Sequence, residues 1–335
     1  MSALPSTDTR TTPLQPGDEG SFDVSVILVN YNTADLLDPC LERLAAALAP
    51  LRSQVFIVDN ASRDDSVRVL RERFGHYQIV ENARNVGFGR ANNQVLPFVR
   101  GRYVLLLNLD AYVEPDALVK TIAYMDAHPR CGVLGARLVT EAGDLQPSCR
   151  YFPTPWNQFL ARTGLSRWIR GVQLVDDMAW DHATERACDW VPGCYYLVRK
   201  SVIDSVGLFD PRFFLYCEEV DHCRAVKAAG WEVVYFPGTT VVHIGGESAK
   251  SESELSGGRQ IAALQIESEI LYVRKHHGAL GAVGALVLIA IADLWSALRQ
   301  LVRRRSWRAV SAPLRETGIA IRAFIRTAGG RRAVR

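Results

Sequence analysis

Three carboxylates occur within four residues of an otherwise apolar stretch, Glu218-Glu219-Val220-Asp221. The aromatic run Phe213-Phe214-Leu215-Tyr216 precedes them, and Gly230-Trp231 follows as a turn signal. Buried carboxylates repel one another and lose hydration, so such a cluster usually serves a cation, a proton transfer or a helix terminus. The pattern therefore predicts acid and base chemistry at this position.

Polar residues also follow three predicted strands directly. Asn30-Tyr31-Asn32 follows the first strand, Asp59-Asn60-Ala61-Ser62 the second and Asn108-Leu109-Asp110 the fourth. Any one of them alone is explained equally well as a cap of the next helix. Three such groups at the carboxyl ends of neighbouring strands predict a ligand site at that edge of the sheet.

A glycine-containing turn, Asn85-Val86-Gly87-Phe88-Gly89, lies between these segments and leads into a helix that carries Asn92. Such a turn lets backbone amides approach a phosphate, and Arg84 just before it can add charge-assisted hydrogen bonds. The segment is therefore a candidate site for phosphate binding.

Short β-rich runs alternate with helical patterns through the first 107 residues. This alternation is typical of βαβ units and predicts a parallel sheet with helices on both faces. The predicted strands are Val24 to Val29, Val55 to Val58, Gln78 to Val80 and Tyr103 to Leu107, and the predicted helices are Ala34 to Leu48, Asp65 to Phe74 and Arg90 to Val99.

Length and composition indicate a mainly globular protein. The 335 residues are 48% apolar and 22% charged, enough for one large or two modest domains. The seven cysteines form no C-x-x-C pair, which favours reduced thiols over a zinc site or a disulfide framework. The first 22 residues contain no apolar core region, so we interpret them as a disordered lead-in rather than a secretory signal and expect the enzyme inside the cell.

The C-terminal part is basic and contains a long apolar run. Residues 299–335 contain eleven arginines and one acid, Glu316, and the run from Gly278 to Leu298 has Asp293 as its only charge. Basic residues flank this run on both sides, which favours an interfacial helix on the cytoplasmic leaflet, with an amphipathic helix from Pro313 to Ala328 beside it. A buried core helix with a solvated tail is the alternative, and nucleic-acid binding is not expected because interleaved aromatic residues are lacking.

Taken together, these motifs resemble the family 2 glycosyltransferases of the GT-A fold. The resemblance covers roughly residues 24 to 245, and the second half is similar to the rhamnosyltransferase-like branch in motif order. It is carried there by Trp190-Val191-Pro192-Gly193-Cys194, Val206-Gly207-Leu208-Phe209-Asp210, the Glu218-Glu219-Val220-Asp221 cluster and Ala229-Gly230-Trp231.

The resemblance implies roles for individual residues. Asp59 corresponds to the aspartate that recognises the pyrimidine base of a nucleotide-sugar. Asn108 and Asp110 occupy the D-x-D metal position, with Asn in place of the first Asp, so Asp110 is the firmer ligand. His243 resembles the histidine that completes the metal site, and this ligand set suits Mg²⁺ or Mn²⁺. We expect a donor site formed by Asn30, Asp59, Arg84, Asn85, Gly87, Asn92, Asn108 and Asp110.

In the family, the second acidic residue of the pair is the catalytic base, which implies that Glu219 takes the proton from the acceptor hydroxyl. Glu218 is expected to fix the acceptor or to raise the pKa of this base, and Asp221 to cap or orient the following helix. The direct displacement implies inversion at the anomeric carbon. The segment from Gly245 to Gly258 is predicted to be a mobile loop over the donor, and Tyr151 to Ala187 an insertion on the acceptor side.

We therefore expect an α/β protein of the GT-A fold with a C-terminal helical segment that associates with membranes. The predicted regions are a lead (1–22), a nucleotide-sugar half (23–150), an acceptor half (151–258) and a basic helical region (259–335). The expected activity is an inverting, metal-dependent transfer of L-rhamnose from dTDP-rhamnose to a lipid-linked or glycan acceptor, for cell-wall or surface polysaccharide, at the cytoplasmic membrane face. The alternatives are a UDP-sugar-dependent transferase, a nucleotidyltransferase and an inactive nucleotide-sugar-binding module.

Overall fold

The computed structural model describes residues 22–169, 171–245, 257–304 and 307–335. Ten strands in this part of the chain form one mixed sheet in the order β3-β2-β1-β4-β9-β6-β10-β5, with β7 beside β6 and β8 beside β10. The strands are β1 (Phe22–Asn30), β2 (Ser53–Asp59), β3 (Gln78–Glu81), β4 (Gly101–Leu107), β5 (Ala111–Val113), β6 (Cys131–Val139), β7 (Leu145–Gln146), β8 (Arg186–Cys188), β9 (Tyr195–Arg199) and β10 (Glu232–His243).

Helices cover both faces of this sheet. They are α1 (Ala34–Leu48), α2 (Ser66–Arg73), α3 (Phe88–Gln94), α4 (Ala117–Ala127), α5 (Pro155–Thr163), α6 (Lys200–Val206), α7 (Glu218–Ala228), α8 (Gly257–Arg304) and α9 (Trp307–Arg326), with 3-10 turns at Leu96–Phe98 and Leu165–Trp168. The architecture is a mixed sheet flanked by helices, as expected from the sequence.

The core lies on both faces of the central strands. In β1, Val26 and Leu28 contribute to one hydrophobic cluster and Ile27 to the other, as the alternation of side chains across a strand requires. Because both faces of β1 are covered, its sequence is an almost continuous apolar run rather than an alternating one. This explains why the strand could be recognised from its β-branched content.

The sheet differs from a purely parallel arrangement on the side away from β3. Strands β3, β2, β1 and β4 are parallel, whereas β9 runs antiparallel between β4 and β6. The short strand β5 also pairs antiparallel with β10, which aligns Ala111 with His243. These antiparallel pairings join segments about 60 to 130 residues apart, and no local pattern in the sequence encodes them.

Helix α3 is shorter than the predicted helix from Arg90 to Val99. It begins at Phe88 and ends at Gln94, and a 3-10 turn with Pro97 near its start follows. Proline lacks a backbone N–H and cannot continue an α-helix from inside it. The predicted helix was therefore wrong at both ends, and Pro97 explains the early stop.

The C-terminal helices pack together as one unit. Gly278 interrupts α8 with φ 69° and ψ −169°, a left-handed value of φ that glycine adopts without steric cost. Ile266 before this break and Ile289 after it belong to one apolar cluster with Ala320 and Ala323 of α9. The stretch Ala263–Val302 is long and apolar enough to cross a membrane by length and composition alone.

Some expectations fall on residues that the structure does not describe. The lead from residue 1 to 21 and most of the predicted loop, residues 246–256, lie outside the described ranges. All seven cysteines lie inside them, and all are buried and unpaired.

Candidate active site

The carboxyl ends of β1 and β2 form the first part of the site. The parallel register aligns Asn30 with Asp59, and the Asn30 Nδ2 donates to Asp59 Oδ2 at 2.7 Å and to Ser62 Oγ at 2.9 Å. The Ser62 backbone N–H donates to the other Asp59 oxygen. Asn30 and Asp59 are thus buried and fixed at the same edge of the sheet, as the sequence predicts.

A chain of amide side chains connects this edge to the glycine turn. Asn60 Nδ2 donates to Asn85 Oδ1 at 2.9 Å, and the same Asn85 oxygen accepts the backbone N–H of Gly87. Asn60 Oδ1 accepts the backbone N–H of Val86 and a hydrogen bond from Asn82. Asn85 therefore shapes the turn through hydrogen bonds within the protein.

Gly87 has a packing role that the sequence alone does not reveal. Its φ is +90°, and a Cβ at this position would lie 2.5 Å from the carbonyl oxygen of Phe214. The same oxygen accepts the backbone N–H of Phe88 at 2.8 Å. The first amide of α3 is therefore used to join the turn to the segment before the carboxylate cluster.

Arg84 and Asn92 lie at different depths. Arg84 is exposed before the turn, while Asn92 is buried in α3, where its Nδ2 donates to the Phe88 carbonyl oxygen. The binding roles of Arg84, Asn85, Gly87 and Asn92 toward a donor remain predictions.

The candidate metal site lies where β10 pairs with β5. His243 Nε2 is 3.6 Å from Asp110 Oδ1, and the Ile244 backbone N–H donates to the Asp110 carbonyl oxygen. Burial lowers the pKa of the His243 imidazole, despite the nearby Asp110 carboxylate, which acts in the opposite direction. The histidine is therefore neutral near pH 7, the form that ligates metals.

Gln146 on β7 determines which nitrogen of His243 carries the proton. Gln146 Nε2 donates to the His243 carbonyl oxygen at 2.7 Å, so its Oε1 must face the ring, 2.8 Å from His243 Nδ1. Because an amide oxygen only accepts hydrogen bonds, His243 Nδ1 carries the proton and Nε2 presents a lone pair toward Asp110. No part of the sequence analysis identified Gln146.

This donor set fits a divalent cation. A lone pair and a carboxylate that face each other at 3.6 Å repel, and a cation between them relieves that repulsion. One imidazole with oxygen ligands suits Mn²⁺ or Mg²⁺. In the described part of the chain, no group of three or more His, Cys, Asp and Glu side chains forms a complete metal site, so further ligands must come from elsewhere.

Asn108 lies beside this pair, and its backbone is used in the fold. Its N–H donates to the Cys194 carbonyl oxygen at 3.1 Å, and its own carbonyl accepts the backbone N–H of Ala111. These bonds set the turn that carries Asp110. A ligand role of Asn108 remains a prediction.

The carboxylates predicted to be catalytic begin α7 after a strained turn. Tyr216 and Cys217 both adopt positive φ, 72° and 68°, an uncommon conformation for non-glycine residues. The turn delivers Glu218 and Glu219 at the first two positions of the helix, where the N-terminal end of the helix dipole favours negative charge. The strain is a feature of this site that the sequence analysis missed.

Both glutamates are adapted to hold protons. Burial, and the charge of Glu219, raise the pKa of Glu218 well above its usual range, and burial also raises the pKa of Glu219. One oxygen of each carboxylate, Oε2, has no hydrogen-bond partner in the described chain. Unpaired carboxylate oxygens in a buried place are available to a substrate hydroxyl.

Cys194 is close both to the candidate metal site and to Glu219, the predicted catalytic base. It lies at the start of β9, next to the end of β4, and both Asp110 and Glu219 are close enough to raise the pKa of its thiol in addition to the effect of burial. The structure thus pairs Asp110 with His243, 133 residues later in the chain, and Cys194 senses the charges of both Asp110 and Glu219.

Asp221 does not cap α7, whose N-cap is Cys217, so the capping part of this expectation was wrong. Its carboxylate accepts hydrogen bonds from Lys275 Nζ and His276 Nε2 of α8, both at 2.7 Å. Lys275 also donates to Asp210 at 2.8 Å. The contact requires the fold of the C-terminal helices, which local sequence does not reveal.

Comparison with known proteins agrees with this geometry. The family model described as Glycosyl transferase family 2 matches residues 25–173. The N-acetylglucosaminyl-diphospho-decaprenol L-rhamnosyltransferase of Mycobacterium tuberculosis is 28% identical over 246 residues, 65% of this chain and 75% of the relative. The rhamnosyltransferase WbbL of Escherichia coli K12 is 26% identical over 230 residues, 66% of this chain and 83% of the relative.

A solved structure shares the fold. The mannosyltransferase PcManGT from Pyrobaculum calidifontis, in complex with GDP-Man and Mn²⁺, aligns with a TM-score of 0.55 at 16% identity. The alignment covers 95% of this chain and 90% of that protein. At this identity, the similarity establishes the fold alone.

Proposed function

We propose that this chain, whose residues 25–173 match the glycosyl transferase family 2 model and which is similar to two rhamnosyltransferases, transfers L-rhamnose from dTDP-rhamnose to a lipid-linked acceptor, with inversion and with the help of a divalent cation. The observation that carries the proposal is the pairing of His243 Nε2 with Asp110 Oδ1 at 3.6 Å, with Asp59 buried at the carboxyl end of β2 and Glu219 at the start of α7. Glycosyl transfer requires three such groups: one that recognises the nucleotide base, one that neutralises charge on the leaving diphosphate, and one that accepts the proton of the acceptor hydroxyl.

The donor assignment is supported by the buried pair Asn30–Asp59 and by the names of the relatives. A fixed carboxylate offers a hydrogen-bond acceptor to the N–H of a uracil or thymine edge, which both bases present alike. The rhamnosyltransferase relatives favour rhamnose and hence the thymidine nucleotide. UDP-sugars remain the matched comparison in any test.

The acceptor assignment is supported by the relative from Mycobacterium tuberculosis, whose name gives a sugar diphosphate linked to decaprenol. A polyprenyl acceptor holds its reacting hydroxyl close to a membrane. The apolar run in α8 and the excess of arginine after residue 298 are consistent with work at the cytoplasmic membrane face.

The proposed mechanism is a single displacement. The acceptor hydroxyl oxygen attacks the anomeric carbon, its proton passes to Glu219, and the bond from that carbon to the diphosphate oxygen breaks with its electron pair leaving on the diphosphate. Attack from the face opposite the leaving group inverts the anomeric centre. Because Glu219 has a raised pKa, it accepts this proton more readily than an ordinary glutamate.

Charge develops on the leaving diphosphate. Asp110 and His243 Nε2 would hold a divalent cation, which when bound neutralises phosphate charge as a Lewis acid. Exposed Arg84 is available for charge-assisted hydrogen bonds to the same phosphates. Gln146 keeps His243 in the tautomer that such a site needs.

The test is calorimetric binding of dTDP-rhamnose, UDP-glucose and UDP-N-acetylglucosamine to the full chain, with Mn²⁺, with Mg²⁺ and with a chelator. Turnover is then measured with N-acetylglucosaminyl-diphospho-polyprenol as acceptor. We expect cation-dependent binding of dTDP-rhamnose and release of dTDP with a rhamnosylated lipid.

Two results would overturn parts of this proposal. Tight binding and turnover of a UDP-sugar alone would replace the donor. Binding that is unchanged by the chelator would remove the cation from the proposal and leave the transferase assignment standing.

A further inference from the structure

The half of α8 that follows Gly278 carries a continuous exposed apolar face. Seven side chains spaced three or four residues apart are between 48% and 89% exposed, and we call them the α8 stripe: Leu280, Val283, Val287, Ile291, Leu294, Leu298 and Val302. At 3.6 residues per turn they lie within an arc of about 100°. Exposed apolar patches of this extent on a folded protein indicate an interaction surface.

The opposite face of the same half-helix is held by the catalytic domain. Asp293, only 5% exposed, accepts a hydrogen bond from Thr317 of α9 at 2.5 Å and lies 3.9 Å from the Arg162 guanidinium of α5. Arg162 also pairs with Glu316 at 2.8 Å. Asp293 is roughly 140° from Leu280 around the helix, so the stripe and this polar contact face away from each other.

We propose that the α8 stripe lies along the surface of an anionic membrane, with the helix in the membrane plane rather than across it. The proposal rests on the proposed function only for the location of the acceptor. A spanning helix of about 20 residues would have lipid on every exposed side. Here the middle of the helix is ion-paired to α5, and α5 is part of the water-exposed enzyme.

Two further features match the headgroup region. Arg299 Nη1 donates to the Thr163 carbonyl oxygen at 3.2 Å, which brings the turn Leu165–Trp168 beside the end of the stripe. Trp168 in this turn is 81% exposed and Trp295 on α8 is 42% exposed. Tryptophan is enriched where membranes meet water.

Charge favours lipid over a second copy of the chain as the occupant. Residues 299–335 have eleven arginines against one acid, a net of +10. Two such regions facing each other across a symmetric interface would repel, whereas each arginine near an anionic leaflet contributes about 1 kcal/mol of attraction. On α9, exposed Arg322 and Arg326 lie near exposed Ile321 and Ile325, the composition of an interfacial helix.

The first experiment measures flotation of the full chain with vesicles of phosphatidylcholine and phosphatidylglycerol. The variant Val287→Glu with Leu294→Glu places two charges in the stripe, where both side chains are already exposed and the fold is not at risk. Val119→Glu on α4, 39% exposed in the native chain, is the matched control. We expect vesicle binding to fall roughly tenfold or more for the stripe variant and to stay unchanged for the control.

The second experiment distinguishes a helix that lies on the membrane from a helix that spans it. Ala279→Cys and Gln300→Cys mark the two ends of the half-helix outside the α8 stripe, and the seven native cysteines are buried and should not react. In sealed inside-out vesicles from expressing cells, an impermeant maleimide should modify both marks from the cytoplasmic side. Modification of only one of them would establish a spanning helix and overturn the proposal.

Other outcomes also test the proposed membrane contact. Equal flotation of native chain and stripe variant would overturn the proposal, as would a native dimer in solution that the stripe variant converts to a monomer without any loss of flotation. The variant Glu219→Gln should float like the native chain. We expect nucleotide-sugar binding in detergent to be the same for the stripe variant and the native chain, so a failed membrane result and a failed donor assignment are told apart.

Discussion

Glu218 and Glu219 are neighbours in sequence, but their environments separate their roles. Burial and the charge of Glu219 raise the pKa of Glu218 well above its usual range, which favours its protonated form. Burial also raises the pKa of Glu219, and backbone hydrogen bonds and Arg150 act against this rise. We therefore assign the role of proton acceptor to Glu219.

We predict that Glu219→Gln lowers kcat by about 10²- to 10⁴-fold, the usual value of a general base, while the dissociation constant of the donor stays unchanged. Glu218→Gln should cost much less, because glutamine resembles the protonated acid. The native kcat should rise with pH through a midpoint above the ordinary glutamate range, since the base must lose its proton. Steady-state kinetics between pH 5 and 9 checks this. A larger loss of kcat in Glu218→Gln than in Glu219→Gln would make Glu218 the catalytic base.

Gln146 acts on the metal pair without touching substrate. Its two hydrogen bonds to His243 hold the ring with the Nε2 lone pair toward Asp110. Groups that orient a ligating histidine typically contribute 10- to 100-fold to metal affinity. Gln146 is therefore a positioning residue of the candidate metal site.

Gln146→Leu should weaken Mn²⁺ binding by roughly tenfold or more, because the ring can rotate and its tautomer is no longer fixed. Titration of Mn²⁺ followed by electron paramagnetic resonance, in the presence of dTDP, measures this without catalysis. Gln265→Leu, an exposed glutamine of α8, is the control. An unchanged Mn²⁺ affinity in Gln146→Leu would remove His243 Nε2 from the proposed ligand set.

At the residue scale, sequence predicts what a local motif contains and misses what distant segments add. Asp59 and Asp110 follow buried strands, so their place at the sheet edge is readable from the order of elements. Gln146 is 97 residues from His243, on a strand of two residues that has no pattern of its own. The strained turn at Tyr216 and Cys217 follows Phe214, which lies against Gly87 far earlier in the chain, a contact that no local rule contains.

At the element scale, α7 is fixed at both its start and its side. The turn at Tyr216 and Cys217 aims the first residues of the helix, and Asp221, one turn later, is held by Lys275 and His276 of α8. The Asp221 carboxylate is 5% exposed, so its charge needs these partners. The C-terminal helix thus contributes directly to the position of the catalytic base.

Asp221→Ala should lower the free energy of unfolding by about 3 kcal/mol, because it removes the buried partner of His276 and one of the two carboxylates that pair with Lys275. We also expect kcat to fall while donor affinity is kept, since α7 carries Glu219. Urea denaturation and kinetics measure the two effects. Asp204→Ala removes an exposed pair with Lys200 and should change stability by less than about 1 kcal/mol. If stability falls but kcat does not, the contact of Asp221 with Lys275 and His276 has a structural role only.

The elements themselves were predictable where a local period dominates. Helix α1 has the predicted bounds, Ala34 to Leu48, because Leu37, Leu41 and Leu44 repeat at helical spacing and are all buried. The antiparallel β9 was not predicted, because its partners β4 and β6 are chosen by the tertiary fold. An apolar run as short as Tyr195–Arg199 has no direction in its sequence.

At the scale of the whole molecule, α8 joins the catalytic centre to the proposed membrane surface. Its first half holds Asp221, and its second half presents the α8 stripe and is tied to α5 through Asp293. The sequence predicted an apolar helix with basic flanks but left its mode of membrane contact open. The single charge in that run, Asp293, decides the geometry only when its partners Arg162 and Thr317 are known.

A substitution at Asp293 tests whether α8 lies on the membrane, packed against the enzyme, or crosses the bilayer. If α8 lies on the membrane, Asp293→Ala leaves Arg162 and Thr317 without this partner and should destabilise the folded chain by about 2 kcal/mol, with vesicle flotation unchanged. If α8 crossed the bilayer, removal of the charge would favour insertion, and extraction at high pH would release less protein. Urea denaturation and alkaline extraction of Asp293→Ala separate the two cases. Asp116→Ala, which removes an exposed pair with Lys120, serves as the control for loss of a surface carboxylate. A variant as stable as the native chain but retained more strongly after extraction would contradict the interfacial geometry.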